Sequence, residues 1–160
     1  AISRGDRMDY AIVKAVELGV SEITPILSAR CVVRLTAERK LKRQAHWQAL
    51  VRAAAEQSGR TILPVVHEPM SLAQWLLLPH ALGVVALPKT KMLLGSLMQS
   101  RVSSISLLIG PESGFSSDEC DLMLQHHFHA FNMGPRILRT ETATVVAITL
   151  IQSLWGDLGC

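Results

Sequence analysis

The sequence predicts an α/β fold in which a mostly parallel sheet carries helices on both faces. Segments with helical spacing of apolar residues alternate with short apolar runs, as βαβ units require. The runs Gly83-Val84-Val85-Ala86-Leu87 and Ser104 to Ile109 show little polar alternation, as expected of strands covered on both sides. At 160 residues the chain can bury about 70% of its unfolded surface, enough for one core and therefore one domain.

The elements follow in order. Met8 to Leu18 has apolar residues at 8, 12, 13, 16 and 18, a helical period, with Gly19 as the residue that ends the helix. Ile23-Thr24-Pro25-Ile26-Leu27 is a short β-branched run interrupted by proline, which suits an edge strand or one starting near the proline. Thr36 caps a long helix reaching about Ser58, with Leu41, Ala45, Leu50, Val51 and Ala54 on its apolar face and Gly59 after it. Ile62 to Val66 reads as a strand, Ser71 caps a brief helix to Leu78, and Gly83 to Leu87 is the apolar strand ending at Pro88. Met92 to Gln99 is predicted helical despite Gly95. Ser104 to Ile109 is a strand, Ser116 or Ser117 caps a helix to Gln125, Phe128 to Met133 is a strand, and the last helix spans about Glu141 to Trp155.

Composition narrows the function. A hydrophobic content of 49% with 18% charged residues is globular. No apolar run reaches the roughly 18 residues of a membrane span, and the charged start Ala1-Ile2-Ser3-Arg4-Gly5-Asp6-Arg7 is unlike a signal peptide, so a cytoplasmic setting is expected. Cys31, Cys120 and Cys160 form no CxxC pair, and His126, His127 and His129 come without HExxH or paired cysteines, so no metal is expected. The net charge of +3 is unevenly spread: residues 1–60 hold 11 Lys and Arg against 6 Asp and Glu, the remainder 5 against 7. Within the basic part, Arg30, Arg34, Arg39, Lys40, Lys42 and Arg43 surround the single acid Glu38, resembling a phosphate-binding face, with a solvated helix surface as the alternative.

In parallel α/β folds ligands sit beyond the carboxyl ends of strands, and the loops after Leu87, Ile109 and Met133 qualify. Two of them are unusual. Leu107-Leu108-Ile109-Gly110-Pro111-Glu112-Ser113-Gly114-Phe115 and Gly134-Pro135-Arg136-Ile137-Leu138-Arg139-Thr140-Glu141-Thr142-Ala143 surround charged side chains with small residues. There is no GxxxxGK[ST], no GxGxxG, and no GxSxG around Ser113, which disfavours an NTPase, an ordinary dinucleotide site and a hydrolase.

These loops, with Arg7-Met8-Asp9, Lys14 to Val20, Pro25-Ile26, Trp47, Ala54 to Arg60 and Pro64, resemble the RsmE family of bacterial ribosomal RNA methyltransferases, which modify uridine at N3, within the SPOUT superfamily of trefoil-knotted enzymes. The resemblance covers essentially residues 1–160 as one catalytic domain. Ser113 stands where the family usually has a second glycine, a small-for-small change expected to be tolerated. Family members begin with a smaller PUA-like RNA-binding domain that has no counterpart here, so the chain resembles an isolated C-terminal part.

The resemblance implies S-adenosylmethionine bound by Leu87, Pro88, Ile109, Gly110, Pro111, Gly114, Met133, Gly134, Ile137, Leu138 and Thr140, and a deep trefoil knot. It also implies small-subunit ribosomal RNA as substrate and a homodimer; Arg30, Arg34, Arg39, Lys40 and Arg43 of the basic cluster, with Arg60, are the RNA-binding candidates. Uridine N3 carries a proton, so methylation needs a base or a group that stabilises the developing anion. Arg139 is the candidate for anion stabilisation, and Glu141 or Glu112 for accepting the proton or orienting that arginine. Glu141 could instead simply favour a helix N-terminus, and Arg139 could be a structural partner of Glu112. The last helix, with Val145, Val146, Ile148, Leu150, Ile151, Leu154 and Trp155, leaves almost no polar face, which independently suggests a dimer. A non-catalytic RNA-binding module and a SPOUT enzyme acting on another RNA are the alternative readings.

Overall fold

The computed structural model describes residues 1–31, 36–88, 90–97 and 102–159. The first half pairs two long helices over a broken strand pair. Helix α1 (Gly5–Glu17) ends with Gly19 at φ +88°, where the Val20 N–H bonds the Ala15 carbonyl and the Gly19 N–H that of Val16. This is the left-handed stop expected of glycine. Strands β1 (Glu22–Ile23) and β2 (Ile26–Leu27) lie on either side of Pro25. Helix α2 (Ala37–Gln57) is capped by the Thr36 side chain, which accepts from the Arg39 N–H, and is stopped by Gly59 at φ +70°.

The predicted face of α2 is shifted. Leu41 is 61% exposed and Ala45 is exposed, whereas Trp47, Val51, Ala54 and Ala55 are buried against Met8, Ile12 and Val16 of α1. Large Trp47 sets the rotation of the helix, and the 47, 51, 54, 55 spacing is itself a helical stripe.

Strand β3 (Val65–Val66) and strand β4 (Met70–Ser71) pair in parallel with β1 and β2. Only the end of the predicted strand at Ile62 to Val66 is in the ladder, and Ile62 is 74% exposed. Partner numbering steps from Glu22↔Val65 to Ile26↔Met70, so the second strand carries one extra residue between the two pairs. Buried Pro25 and Pro69 sit in that bulge, where neither has an N–H to give to a ladder.

Helix α3 (Leu72–Leu76) begins with a reciprocal cap between Ser71 and Gln74. Strand β5 (Leu82–Ala86) and strand β6 (Ile105–Leu108) follow, separated by a 3₁₀ turn at Leu94–Leu97. The predicted helix at Met92 to Gln99 is reduced to this turn because Met92 and Leu93 pair with Asn132; residues 98–101 lie outside the described part. Helix α4 (Ser117–Gln125) is capped by Ser116 with Glu119, and strand β7 (His129–Phe131) and helix α5 (Thr140–Trp155) complete the chain. His126 and His127 form the stop of α4: His127 adopts φ 61° and donates to the Leu124 carbonyl, while the Phe128 N–H reaches that of Met123.

Among the described residues every strand pairing is parallel, in keeping with the mostly parallel sheet expected, but the ladders fall into three groups: β1 with β3, β2 with β4, and the order β6-β5-β7. Central β5 buries Gly83, Val84 and Val85. Gly83 is required there, since a Cβ would stand 2.7 Å from the Phe128 ring.

Candidate active site

Because β5 lies between β6 and β7 and all three run the same way, their ends deliver three loops to one rim. Polar bonds tie those loops together. The Leu87 N–H donates to the Phe131 carbonyl at 2.9 Å, and the Asn132 side-chain amide donates to the Thr90 carbonyl at 2.9 Å while its oxygen accepts from the Gly134 N–H. The N-terminus of α5 closes over the rim: Thr140 Oγ1 donates to the Gly110 carbonyl at 3.3 Å. Gly114, at φ +68°, closes a turn onto the Pro111 carbonyl, and Gly134 adopts φ +105°. Both turns use conformations that favour glycine and leave backbone polar groups near the rim.

The candidate residues therefore come together from three strand ends and one helix start. Leu87, Ile109, Met133 and Leu138 are half-buried and Pro88 is exposed, as is Ile137, which stands out into solvent at 87%. Gly110 rests on the ring of buried Phe115, at a distance where an added methyl would touch it at 3.4 Å. Pro111 is buried beneath the turn.

Arg139 is the residue before the first turn of α5. Its carbonyl accepts from the Ala143 N–H at 2.7 Å, but its exposed guanidinium has no partner among the described residues. Glu141, in the first turn of the same helix, has a buried Oε2 without a hydrogen-bond partner among the described residues. The start of α5 thus carries a buried carboxylate oxygen and an exposed guanidinium, both without a partner among the described residues.

Glu112 is placed otherwise. It accepts from the Arg4 N–H at 3.2 Å and from the Arg7 guanidinium at 3.3 Å, so its partner is Arg7 rather than Arg139. Partial burial pushes its pKa up, but its own and Arg4's backbone N–H groups and the Arg7 charge outweigh this and hold the carboxyl below its ordinary value of 4.5. A depressed folded-state pKa stabilises the fold above the ordinary value, and that stabilisation is lost as the pH falls through the lowered one. Glu112→Gln should therefore cost about 0–1 kcal/mol at neutral pH, because the pair is partly exposed, and should flatten the acid limb of thermal melts recorded against pH. An unchanged acid limb would remove Glu112 from this role.

The basic candidates divide. Arg30 lies against the Ser113 carbonyl at 3.2 Å, Lys42 pairs with Glu38 at 2.7 Å with both side chains largely exposed, Arg43 sits over the Trp47 ring, and Arg39 and Lys40 lie in the first turn of α2. Arg34 lies outside the described residues. Arg60 has a structural engagement: its guanidinium donates to the Val16 and Val20 carbonyls at 3.0 and 2.6 Å, joining the end of α2 to the end of α1. Among the described residues no group of three or more His, Cys, Asp and Glu could hold a metal ion, and no helix is long and apolar enough to cross a membrane.

Sequence reasoning missed the stitching role of Asn132, for which an amide directly after a strand was the available signal. It also missed Arg4 and Arg7 as neighbours of Glu112, a contact that local sequence does not encode.

Fold and site together define a parallel α/β domain with a ligand site at converging strand ends. The RNA methyltransferase domain family matches residues 1–152, and the chain belongs to that family. It is 35% identical over 159 residues to the ribosomal RNA small subunit methyltransferase E of Buchnera aphidicola, covering 98% of this chain and 64% of that protein. The Bacillus subtilis protein of the same name is 32% identical, with coverage of 94% and 62%. Among solved structures, a ribosomal RNA small subunit methyltransferase E from Neisseria gonorrhoeae bound to S-adenosyl methionine is similar at a TM-score of 0.91 and 39% identity, covering 98% of this chain and 65% of that one. The chain thus spans just under two thirds of the length of these relatives.

Proposed function

We propose that this chain transfers the methyl group of S-adenosylmethionine to N3 of a uridine in small-subunit ribosomal RNA, in the cytoplasm. The observation that carries the reading is the convergence of the three strand-end loops beneath the start of α5, where Arg139 and Glu141 hold unpartnered charged groups. The names and bound donor of the relatives support it.

The residues present fit such a donor. Its adenine needs flat apolar walls and backbone hydrogen bonds, which Leu87, Ile109 and Leu138 and the turns at Gly110, Pro111, Gly114, Met133 and Gly134 offer, with Pro88, Ile137 and Thr140 at the edges. The donor is cationic, and the buried Glu141 oxygen lacks a counter-charge. When bound, the sulfonium supplies an electrophilic methyl whose transfer depends mainly on alignment, worth on the order of 7–11 kcal/mol.

The chain's own groups supply the rest. Glu141 accepts the N3 proton of the uracil as the N–C bond forms, while the Arg139 guanidinium and the positive end of α5 stabilise the negative charge developing on the ring. Glu112, tied to Arg4 and Arg7 and held ionised, is the poorer base. Crystals grown with S-adenosylmethionine should hold it between Gly110 and Leu138. Donor lodged elsewhere, or no heat on calorimetric titration, overturns the reading.

The same reading includes a knot, in which the segment from β7 into α5 passes beneath the loop that follows β5; the Leu93↔Asn132 bridge and the Thr140 bond to Gly110 support it. It also includes a homodimer through α5. Ala143, Ala147 and Ile148 of that helix are buried within the chain, yet Val145, Val146, Ile151, Leu154 and Trp155 remain half-buried and Leu150 exposed. A helix apolar all round needs cover on more than one side. Sedimentation should give a dimer at micromolar concentration, and a monomer alone would count against it.

A further inference from the structure

We infer that Ser113 is a positioning residue whose side chain fixes Arg30 beside the donor-site turn, so that Arg30 grips a backbone phosphate of the RNA next to the reacting base; this rests on the methyltransferase reading above. The two residues hold each other. Ser113 Oγ donates to the Arg30 carbonyl at 2.8 Å, and Arg30 Nη1 donates to the Ser113 carbonyl at 3.2 Å. Alanine or glycine at 113 would keep the second bond and lose the first.

The backbone around Arg30 is anchored from both sides. The Ala29 N–H donates to Glu119 Oε1 at 2.7 Å, and the other oxygen of that buried carboxylate accepts from the Ser116 N–H at 2.8 Å, so the start of α4 holds the segment. On the far side, the Cys31 N–H donates to the Ser28 carbonyl at 3.0 Å and its thiol to the Ile2 carbonyl. Arg30 is thus a fixed base carrying an exposed guanidinium that, among the described residues, commits one of its five N–H donors.

The surroundings select the ligand class. Arg4, Arg7, Glu112 and Ser113 line an open cleft of about 270 Å³, and Arg30 is bonded to Ser113 beside it, so three arginines stand near two carboxylates: Glu112, which Arg7 partners, and buried Glu119, whose oxygens accept from the Ala29 and Ser116 N–H groups. The local excess of positive charge, in fork-shaped donors, suits a phosphodiester. Holding Arg30 in place before binding reduces the conformational freedom lost on binding.

The test combines binding of isolated small-subunit ribosomal RNA, at saturating S-adenosylmethionine and over a range of salt, with hydrogen exchange on the chain alone. Arg30→Ala should weaken RNA binding about tenfold and lower the salt slope by about one. Ser113→Ala should weaken it about threefold in the parent and not at all in the Arg30→Ala background, with Ser113→Thr behaving as the parent and donor affinity within about twofold throughout. Equal losses in both backgrounds, a failure of threonine to rescue, or a parallel loss of donor affinity would overturn the inference. Should the unaltered chain bind neither donor nor RNA, the methyltransferase reading is what fails. The clasp is then judged by exchange at the Ala29–Cys31 amides, which should quicken severalfold in Ser113→Ala but not in Ser113→Thr; unchanged exchange sinks it.

Discussion

Arg139→Ala should lower turnover on intact RNA substrate by about 10²–10³-fold, with donor affinity changed by no more than a few-fold. The size follows from the role proposed for the guanidinium: to stabilise charge that would appear on the uracil ring only as the proton leaves and the methyl arrives. Stability should barely move, within about 0.5 kcal/mol, because the residue serves α5 through its carbonyl, which alanine retains, and its side chain makes no cap bond. A positive charge at a helix N-terminus opposes the helix dipole, so the alanine variant should, if anything, melt slightly higher. That combination of lost activity and retained stability marks a functional residue. Arg139→Lys keeps the charge and loses the planar fork, and should fall between the two. Single-turnover kinetics separates the chemical step from binding, and full turnover in the alanine variant would end the assignment.

Trp47→Ala should destabilise the domain by about 3–5 kcal/mol. Trp47 is fully buried in the cluster that joins α1 to α2, and its indole N–H donates to Asp9 at 3.2 Å. Truncation opens a cavity among Met8, Ile12, Val16 and Val51 and removes one of the two bonds holding Asp9, the other coming from His46 at 2.8 Å. Against a typical total of about 5–15 kcal/mol the loss is large, and for this chain length it corresponds to a fall in melting temperature of about 6–20 °C. Trp47→Phe keeps most of the volume and isolates the hydrogen bond, so it should cost roughly a third as much or less. Denaturant titration checks both, and a loss below about 1 kcal/mol for alanine would show that the helix pair is held elsewhere.

Local chemistry made much of the fold legible. Thr36, Ser71 and Ser116 announced three helix starts through hydroxyls that accept from N–H groups three residues on, and Gly19 and Gly59 announced two stops. The stop of α4 at Gln125 was also read in its place, although a histidine, His127, takes the left-handed position that glycine fills elsewhere. The weaker readings share a cause. The face of α2, the length of β3 and the collapse of the helix at Met92 were settled by partners distant in sequence: α1, β1 and Asn132. The site divides the same way. Three loops at one rim followed from parallel topology, whereas the bonds between Glu112 and Arg7, and between Ser113 and Arg30, span 105 and 83 residues.

The order β6-β5-β7 has a consequence for how the domain matures during translation. Central β5 acquires both its neighbours from later in the chain, and the Gly110 turn receives Thr140 later still. A nascent chain must hold one edge of β5 unpaired until β7 has been made, and the Val84 side of the sheet uncovered until Ala147 of α5 follows. Termination before β7 therefore leaves an apolar parallel edge bare, and termination before α5 leaves the Gly110 turn without its Thr140 bond.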